Sequence, residues 1–164
     1  MKNTTRSHVY VSLAALILTV AVVIPAAAQQ LVPFKGTFQG SDTVTGATLV
    51  TGATGHGTHL GQSSFTQNVA LNFTNLTDTG SGHWEAANGD IIYTTVVGSA
   101  GPSDNPDYLK ITEIHTITGG TGRFTGAQGS FTVDRMHRFA ADSDGTHLTF
   151  GSFQGTITSP SAAR

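Results

Sequence analysis

A glycine-rich connection between two alternating segments is the feature that most limits how this chain can fold. Five glycines lie within residues 119–129, and strand-like alternation stops at Thr118 and resumes at Ser130. Glycine reaches positive φ and allows close approach of another backbone, which residues carrying a Cβ resist. We therefore interpret residues 117–133 as two strands joined by a structural connection, and look for the chemistry in the strands themselves.

The remaining composition favours strands. The chain has 20 Gly, 5 Pro and only 11% charged residues, and Thr, Ser, Val, Ile and Phe recur in short runs. No segment after residue 30 has a convincing helical period. The segment 34–40 (FKGTFQG) is echoed by 150–155 (FGSFQG). Similar first and last strands favour a closed barrel in which these two are neighbours, because closure removes exposed edges.

The glycine connection also carries a family resemblance. Residues 119–124 (GGTGRF) and 126–131 (GAQGSF) resemble the signature of the allene oxide cyclase and dirigent barrel superfamily, and most closely its small secreted bacterial members, which mostly lack an assigned function. The resemblance covers about fifteen residues. It implies a single antiparallel β-barrel of about eight strands with an apolar cavity, often trimeric in the named families. The polar catalytic set of the plant enzymes has no alignable counterpart.

The N-terminus has the pattern of an export signal. Lys2 and Arg6 precede an apolar stretch from Val9 to Ile24, and residues 25–28 (PAAA) offer a cleavage site before Gln29. The alternative, a membrane anchor, needs about 20 uninterrupted apolar residues. We expect a signal peptide over residues 1–28, a barrel domain over residues 29–164, no membrane span after cleavage, and a secreted or periplasmic protein.

Alternation and turn residues place seven strands coarsely. Asn88-Gly89 predicts a type I′ hairpin, and residues 99–106, with two prolines, predict a loop that could cover a barrel mouth. The predicted strands cover residues 31–40, 64–73, 82–87, 90–98, 108–118, 130–139 and 146–158. Residues 159–164 are expected to form a loose tail.

Charge and cysteine content exclude several function classes. Without Lys2 and Arg6, 6 basic residues face 10 acidic ones, a net charge of 6 − 10 = −4, with no basic cluster for nucleic acid. The chain has no cysteine, so disulfides and thiolate chemistry are excluded. His56 and His59 have a spacing seen in metal sites, but no carboxylate or thiolate lies near them in the sequence. We predict no metal and no cofactor.

Ionisable residues recur on one face of the two strands beside the glycine connection. Alternation groups Glu113 and His115 with apolar neighbours in the first strand, and Arg135 and His137 in the second. If Ile117 lies opposite Phe131, Glu113 faces Arg135; a slip of two residues would change partners and leave all four on one face. Pointing inward, they would line a small-molecule site. These four residues are our candidate ligand-binding set.

The pattern leaves alternatives open. The four residues could form a structural ion pair or a solvated ladder, orient a ligand, or transfer protons through a histidine. Three functions follow: a barrel that binds a small apolar or amphipathic molecule, a cyclase or isomerase of the resembled type, or a structural barrel filled by its own side chains. The sequence does not decide whether the protein is an enzyme. We place binding first.

Overall fold

The protein is an all-β, closed, eight-stranded antiparallel barrel. The structure is a computed structural model that describes residues 30–160. The predicted signal segment and the end of the tail lie outside the described residues. The strands are β1 Leu31–Thr45, β2 Thr48–Gly57, β3 Gly61–Asn72, β4 Thr77–Glu85, β5 Ile91–Pro102, β6 Tyr108–Gly120, β7 Gly129–Ala141 and β8 His147–Thr158.

The barrel closes between its first and last strands. β1 pairs antiparallel with β8 from Leu31 opposite Thr158 to Asp42 opposite His147, and Gly36 lies opposite Phe153. The prediction that the two similar segments are neighbours is therefore confirmed. Strand β2 was not among the predicted strands. Its inward residues are mostly small, so it lacks the alternating large side chains by which strands are recognised.

Aromatic side chains fill one end of the barrel. Trp84 stacks on Phe65 with ring centroids 4.1 Å apart, and it contacts Phe153 at 4.7 Å. Both contacts follow from alternation, because these residues occupy inward positions of three different strands. We call this the closed end. Contacting aromatic rings occupy much of that half of the interior.

The glycine-rich connection covers the closed end. A single 3-10 turn, Gly122–Phe124, inserts the buried Phe124 into the aromatic core. The backbone N–H of Arg123 donates to the Asp90 carboxylate at 3.2 Å. Gly122 has φ +52°, and a Cβ there would lie 1.8 Å from an Asp90 oxygen. Glycine is thus required at this position by both backbone conformation and space.

Two turn predictions need correction. The β4–β5 hairpin forms at Asn88-Gly89, but only Gly89 has positive φ in that pair, with its N–H donating to the Ala86 carbonyl at 2.8 Å. A type I′ turn is therefore absent, because the chain turns over more residues than two. The predicted loop at 99–106 is shorter, since pairing with β6 extends β5 to Pro102. The loop remaining at 103–107 lies at the other, open end.

Within residues 30–160 no helix has the length and apolar character of a membrane span.

Replacing a closed-end aromatic should destabilise the barrel much more than replacing an outward one. Phe153 is 2% exposed, whereas Phe150 on the same strand is 38% exposed. We expect Phe153→Ala to lower the free energy of unfolding by about 3–5 kcal/mol and Phe150→Ala by much less, measured by urea denaturation. Equal losses for the two variants would contradict this assignment of the core.

Candidate functional site

A layer of buried polar side chains crosses the barrel next to the aromatic core. Glu113, His115, Arg135 and His137, the four residues predicted from alternation, all lie in it and are at most 9% exposed. They face the interior, so the alternative of a solvated outer ladder is wrong.

The assumed register was off by two residues. Glu113 pairs with Val133 and Arg135 pairs with Ile111, while Ile117 lies opposite Gly129 instead of Phe131. β7 begins at Gly129 and pairs from its first residue, so the segment between Ile117 and its partner is two residues shorter than assumed. A slip of two preserves the face, and the long Arg135 side chain reaches Glu113 diagonally.

Arg135 is the centre of the polar layer. Its Nε and Nη2 donate to the two Glu113 carboxylate oxygens, each at 3.0 Å. Its Nη1 donates to Asp42 Oδ2 at 2.7 Å and to Thr149 Oγ1 at 3.1 Å. Burial, the largest single effect, would raise the pKa of Glu113, but the charge and hydrogen bonds of Arg135, with a smaller effect of His115, together lower this pKa to about 2. Glu113 is therefore a carboxylate at neutral pH.

Asp42 joins β1 to this network. Its Oδ2 lies 2.6 Å from His137 Nδ1, and Thr51 Oγ1 donates to its Oδ1 at 2.6 Å. Burial raises the pKa of Asp42, yet the hydrogen bond with His137 and the Arg135 charge hold it below its ordinary value. Because Asp42 is ionised and can only accept, His137 carries a proton on Nδ1.

His115 connects the polar layer to the aromatic core. Its ring stacks on Phe131 with centroids 4.9 Å apart, and its Nδ1 lies 3.1 Å from Thr94 Oγ1. The Thr94 hydroxyl donates to the Gly82 carbonyl, so it accepts from Nδ1–H. His115 Nε2 is 3.9 Å from Glu113 Oε2, too far for a hydrogen bond. His115 thus belongs to the packed interior.

Asp78 is a buried carboxyl without a hydrogen-bond partner for its Oδ1 among residues 30–160. It lies across Gly98 from Glu113, since Gly98 pairs with Asp78 on one side and Glu113 on the other. A Cβ at Gly98 would lie 2.6–2.7 Å from both acidic side chains, so glycine leaves the room they occupy. Burial, with the Glu113 charge, raises the pKa of Asp78 to about 6.

An apolar pocket of about 300 Å³ lies between the polar layer and the open end. Asp78, Arg135 and His137 line it on the side of the polar layer, and we call these three residues the floor. Its walls and rim are mostly apolar: Val44, Leu49, Leu71, Phe73, Leu76, Ala100, Leu109, Ile111 and Phe139. Phe73 and Phe139 are large hydrophobic residues more than half exposed. An apolar space over ionisable groups suits an amphipathic molecule.

Sequence reasoning missed part of this site. Asp42, Gln67 and Asp78 are buried with the predicted four, and Gln67 Nε2 donates to Glu113 Oε1 at 2.5 Å. Asp42 lies just beyond the predicted end of the first strand, and Asp78 lies before the predicted start of β4. Alternation could have identified two of them, because residues an even number of positions apart share a face of a strand. Asp42 shares the inward face of Phe38, and Asp78 shares the inward face of Trp84.

The comparisons add no relative to this description. No protein-family profile matches the chain, and no curated protein or solved structure is significantly similar to it. Among the residues the structure describes, no group of three or more potential ligands could hold a metal ion. His56 and His59 are both exposed, outside the polar layer. The resemblance to the allene oxide cyclase and dirigent barrels stays a prediction.

Replacing Asp78 by Asn should stabilise the protein above neutral pH. Because folding raises the pKa of Asp78 from 3.8 to about 6, ionisation opposes folding as pH rises through this range, and the penalty is complete above it. We expect Asp78→Asn to add about 1–3 kcal/mol to the free energy of unfolding at about pH 7.5, relative to its effect near pH 4.

Urea denaturation at the two pH values measures this difference. Asp104→Asn, in the exposed 103–107 loop, is the matched control and should change stability equally at both. Ionisation of Glu113 has the opposite effect on the free energy of unfolding. Folding lowers the pKa of Glu113 from 4.5 to about 2, so the stability that its charge contributes is lost as pH falls through that range. A pH-independent effect of Asp78→Asn would contradict the assignment of a raised pKa.

Proposed function

We propose that the protein is exported and that its barrel binds one small amphipathic molecule in the open-end pocket, with the polar end of the molecule on the floor. The observation that carries the binding proposal is the 5% exposed Asp78 carboxyl beneath an apolar space, whose Oδ1 has no hydrogen-bond partner among residues 30–160. Buried polar groups are normally hydrogen-bonded, and an orphaned one in a native structure needs an explanation. A ligand group at the floor supplies it.

The size of the pocket limits the molecule. A volume of about 300 Å³ equals about ten waters at liquid density, which corresponds to a ligand of about ten non-hydrogen atoms. This is the small end of ligand pockets in general. A long lipid chain would extend past the rim, where the exposed Phe73 and Phe139 could contact it.

The closed end supports the rival hypothesis of a filled structural barrel, but only for that half. Trp84, Phe65 and Phe153 pack against one another there, whereas Leu71 and Leu109 at the other end are only partly buried around the pocket. A barrel with a purely structural role would gain stability by closing this space, because apolar surface beside a cavity forgoes contacts. The contrast between the two ends favours binding.

A straight-chain alcohol tests the pocket directly. Octanol has an apolar body of suitable size and a neutral polar end, so we expect it to bind to the mature protein and raise its thermal midpoint. At tenfold excess over Kd, binding adds about 1.4 kcal/mol to the free energy of unfolding. Calorimetric titration gives the stoichiometry, which we expect to be one per chain.

Two tryptophan variants on one strand provide the matched control. Ala100→Trp places an indole in the pocket, whereas Val97→Trp places it on the outer face, where Val97 is 60% exposed. We expect the first variant to lose octanol binding and the second to retain it. Binding that survives Ala100→Trp would show that octanol occupies another site and would contradict the proposed pocket.

A cyclase or isomerase is the second candidate, and Asp78 is the observation that favours it. A general acid or base works best with a pKa near the working pH, and the raised pKa of Asp78 meets that condition beside the pocket. If the barrel isomerises its ligand, molecules extracted from the native protein and from Asp78→Asn should have equal mass but different chromatographic retention. Identical molecules from both proteins would indicate binding without turnover.

A further inference from the structure

The guanidinium at the pocket floor is already occupied by protein groups. Arg135 makes four hydrogen bonds, two to Glu113, one to Asp42 and one to Thr149, out of five N–H donors. An arginine under an apolar pocket would ordinarily favour a ligand carboxylate or phosphate. Here two protein carboxylates occupy that role, so the presence of Arg135 does not predict an anionic ligand.

The charge sum of the polar layer also disfavours an anion. Asp42, Asp78 and Glu113 contribute three negative charges when ionised, and Arg135 contributes one positive charge. With both buried imidazoles neutral the sum is 1 − 3 = −2, and with both protonated it is 3 − 3 = 0. While Asp78 is ionised, the layer therefore never presents net positive charge to the pocket. An anion would meet repulsion in a medium that screens poorly.

The free hydrogen-bonding capacity at the floor is mainly that of acceptors. Neither carboxylate oxygen of Asp78 accepts a hydrogen bond from any residue in 30–160, and its Oδ1 is fully buried. His137 is held by Asp42 through Nδ1, and its Nε2 is a second acceptor only when the ring is neutral. Against these stands the one remaining N–H of Arg135. Acceptors over an apolar wall call for a ligand with several donors.

We propose that the ligand's polar end is a hydrogen-bond donor, and that a protonated primary amine on a short apolar body binds best, with its ammonium group on the Asp78 carboxylate. This inference rests on the proposed function and specifies the class of molecule. An ammonium group offers three donors and one positive charge, which complements both the acceptors and the charge sum. A neutral alcohol satisfies only the hydrogen bonding, and a carboxylate satisfies neither.

Three ligands that differ only at the polar end test this inference. Octylamine, octanol and octanoate are titrated into the mature protein at about pH 7.5, where the amine is protonated and the acid ionised. We expect octylamine to bind about tenfold or more tightly than octanoate, the difference typical of a charge-assisted hydrogen bond, with octanol between them. Ala100→Trp should abolish binding of all three and identifies the pocket as their site.

Asp78→Asn isolates the proposed contact. The substitution removes the charge and preserves the shape, so the ratio of octylamine affinity to octanol affinity should fall to about one, whatever the change in octanol affinity itself. Equal or tighter binding of octanoate than of octylamine would overturn the inference, as would an amine preference that survives Asp78→Asn. If none of the three ligands binds, the proposed function is wrong and the inference falls with it. If octanol binds and octylamine binds no more tightly, the inference is wrong but the proposed function stands.

The wild-type protein provides a second readout that needs no variant. Glu113 on β6 and Arg135 on β7 are the charged groups that act on Asp78, with Asp42 on β1 and His137 on β7 beyond Arg135. As pH falls below about 6, Asp78 takes up a proton and loses its attraction for the ammonium group. We expect octylamine affinity to fall relative to octanol between about pH 7.5 and about pH 4.5. A constant ratio would overturn the inference.

Discussion

The ion pair of Arg135 with Glu113 and Asp42 is the interaction on which the barrel interior depends. It joins β7 to the neighbouring β6 and, past β8, to β1, with every contact at 3.0 Å or less. Burying these charges costs several kcal/mol per ion, which the contacts offset only because the bonding is bidentate and closely fitted. Loss of the guanidinium would leave two buried carboxylates opposed, which is the condition that destabilises such networks most.

This network divides the interior into two halves with different packing. On one side, rings such as Trp84 and Phe65 pack at contact distance. On the other, the side chains around Leu71 and Leu109 surround a space of about 300 Å³. A layer of fixed, hydrogen-bonded groups cannot collapse toward either side as apolar side chains can. The polar layer therefore keeps the pocket open while the aromatic end supplies most of the hydrophobic stabilisation.

Much of this architecture could be predicted from the alternation of apolar and polar residues. The prediction failed where a polar residue occupies an inward position. The face shared by Glu113 and Arg135 was correct because apolar residues of the same parity flank both. The neighbouring first and last strands were correct for a similar reason. Asp42 and Asp78 were missed because each interrupts the apolar pattern within its strand, so the predicted strands stopped short of them. Burial of a carboxylate depends on partners from other strands, which a one-dimensional pattern does not contain.

Asp78 shows why the missed residues matter most for function. The network around Arg135 satisfies its own carboxylates, whereas Asp78 sits across Gly98 from Glu113 with no donor for its Oδ1 in the described chain. Its raised pKa shows that the fold opposes its charge. A residue that weakens the empty barrel and lines its pocket is readily explained if a bound molecule supplies the missing donor. Under the proposed function, binding of a donor-bearing ligand would recover the stability that Asp78 costs the protein without it.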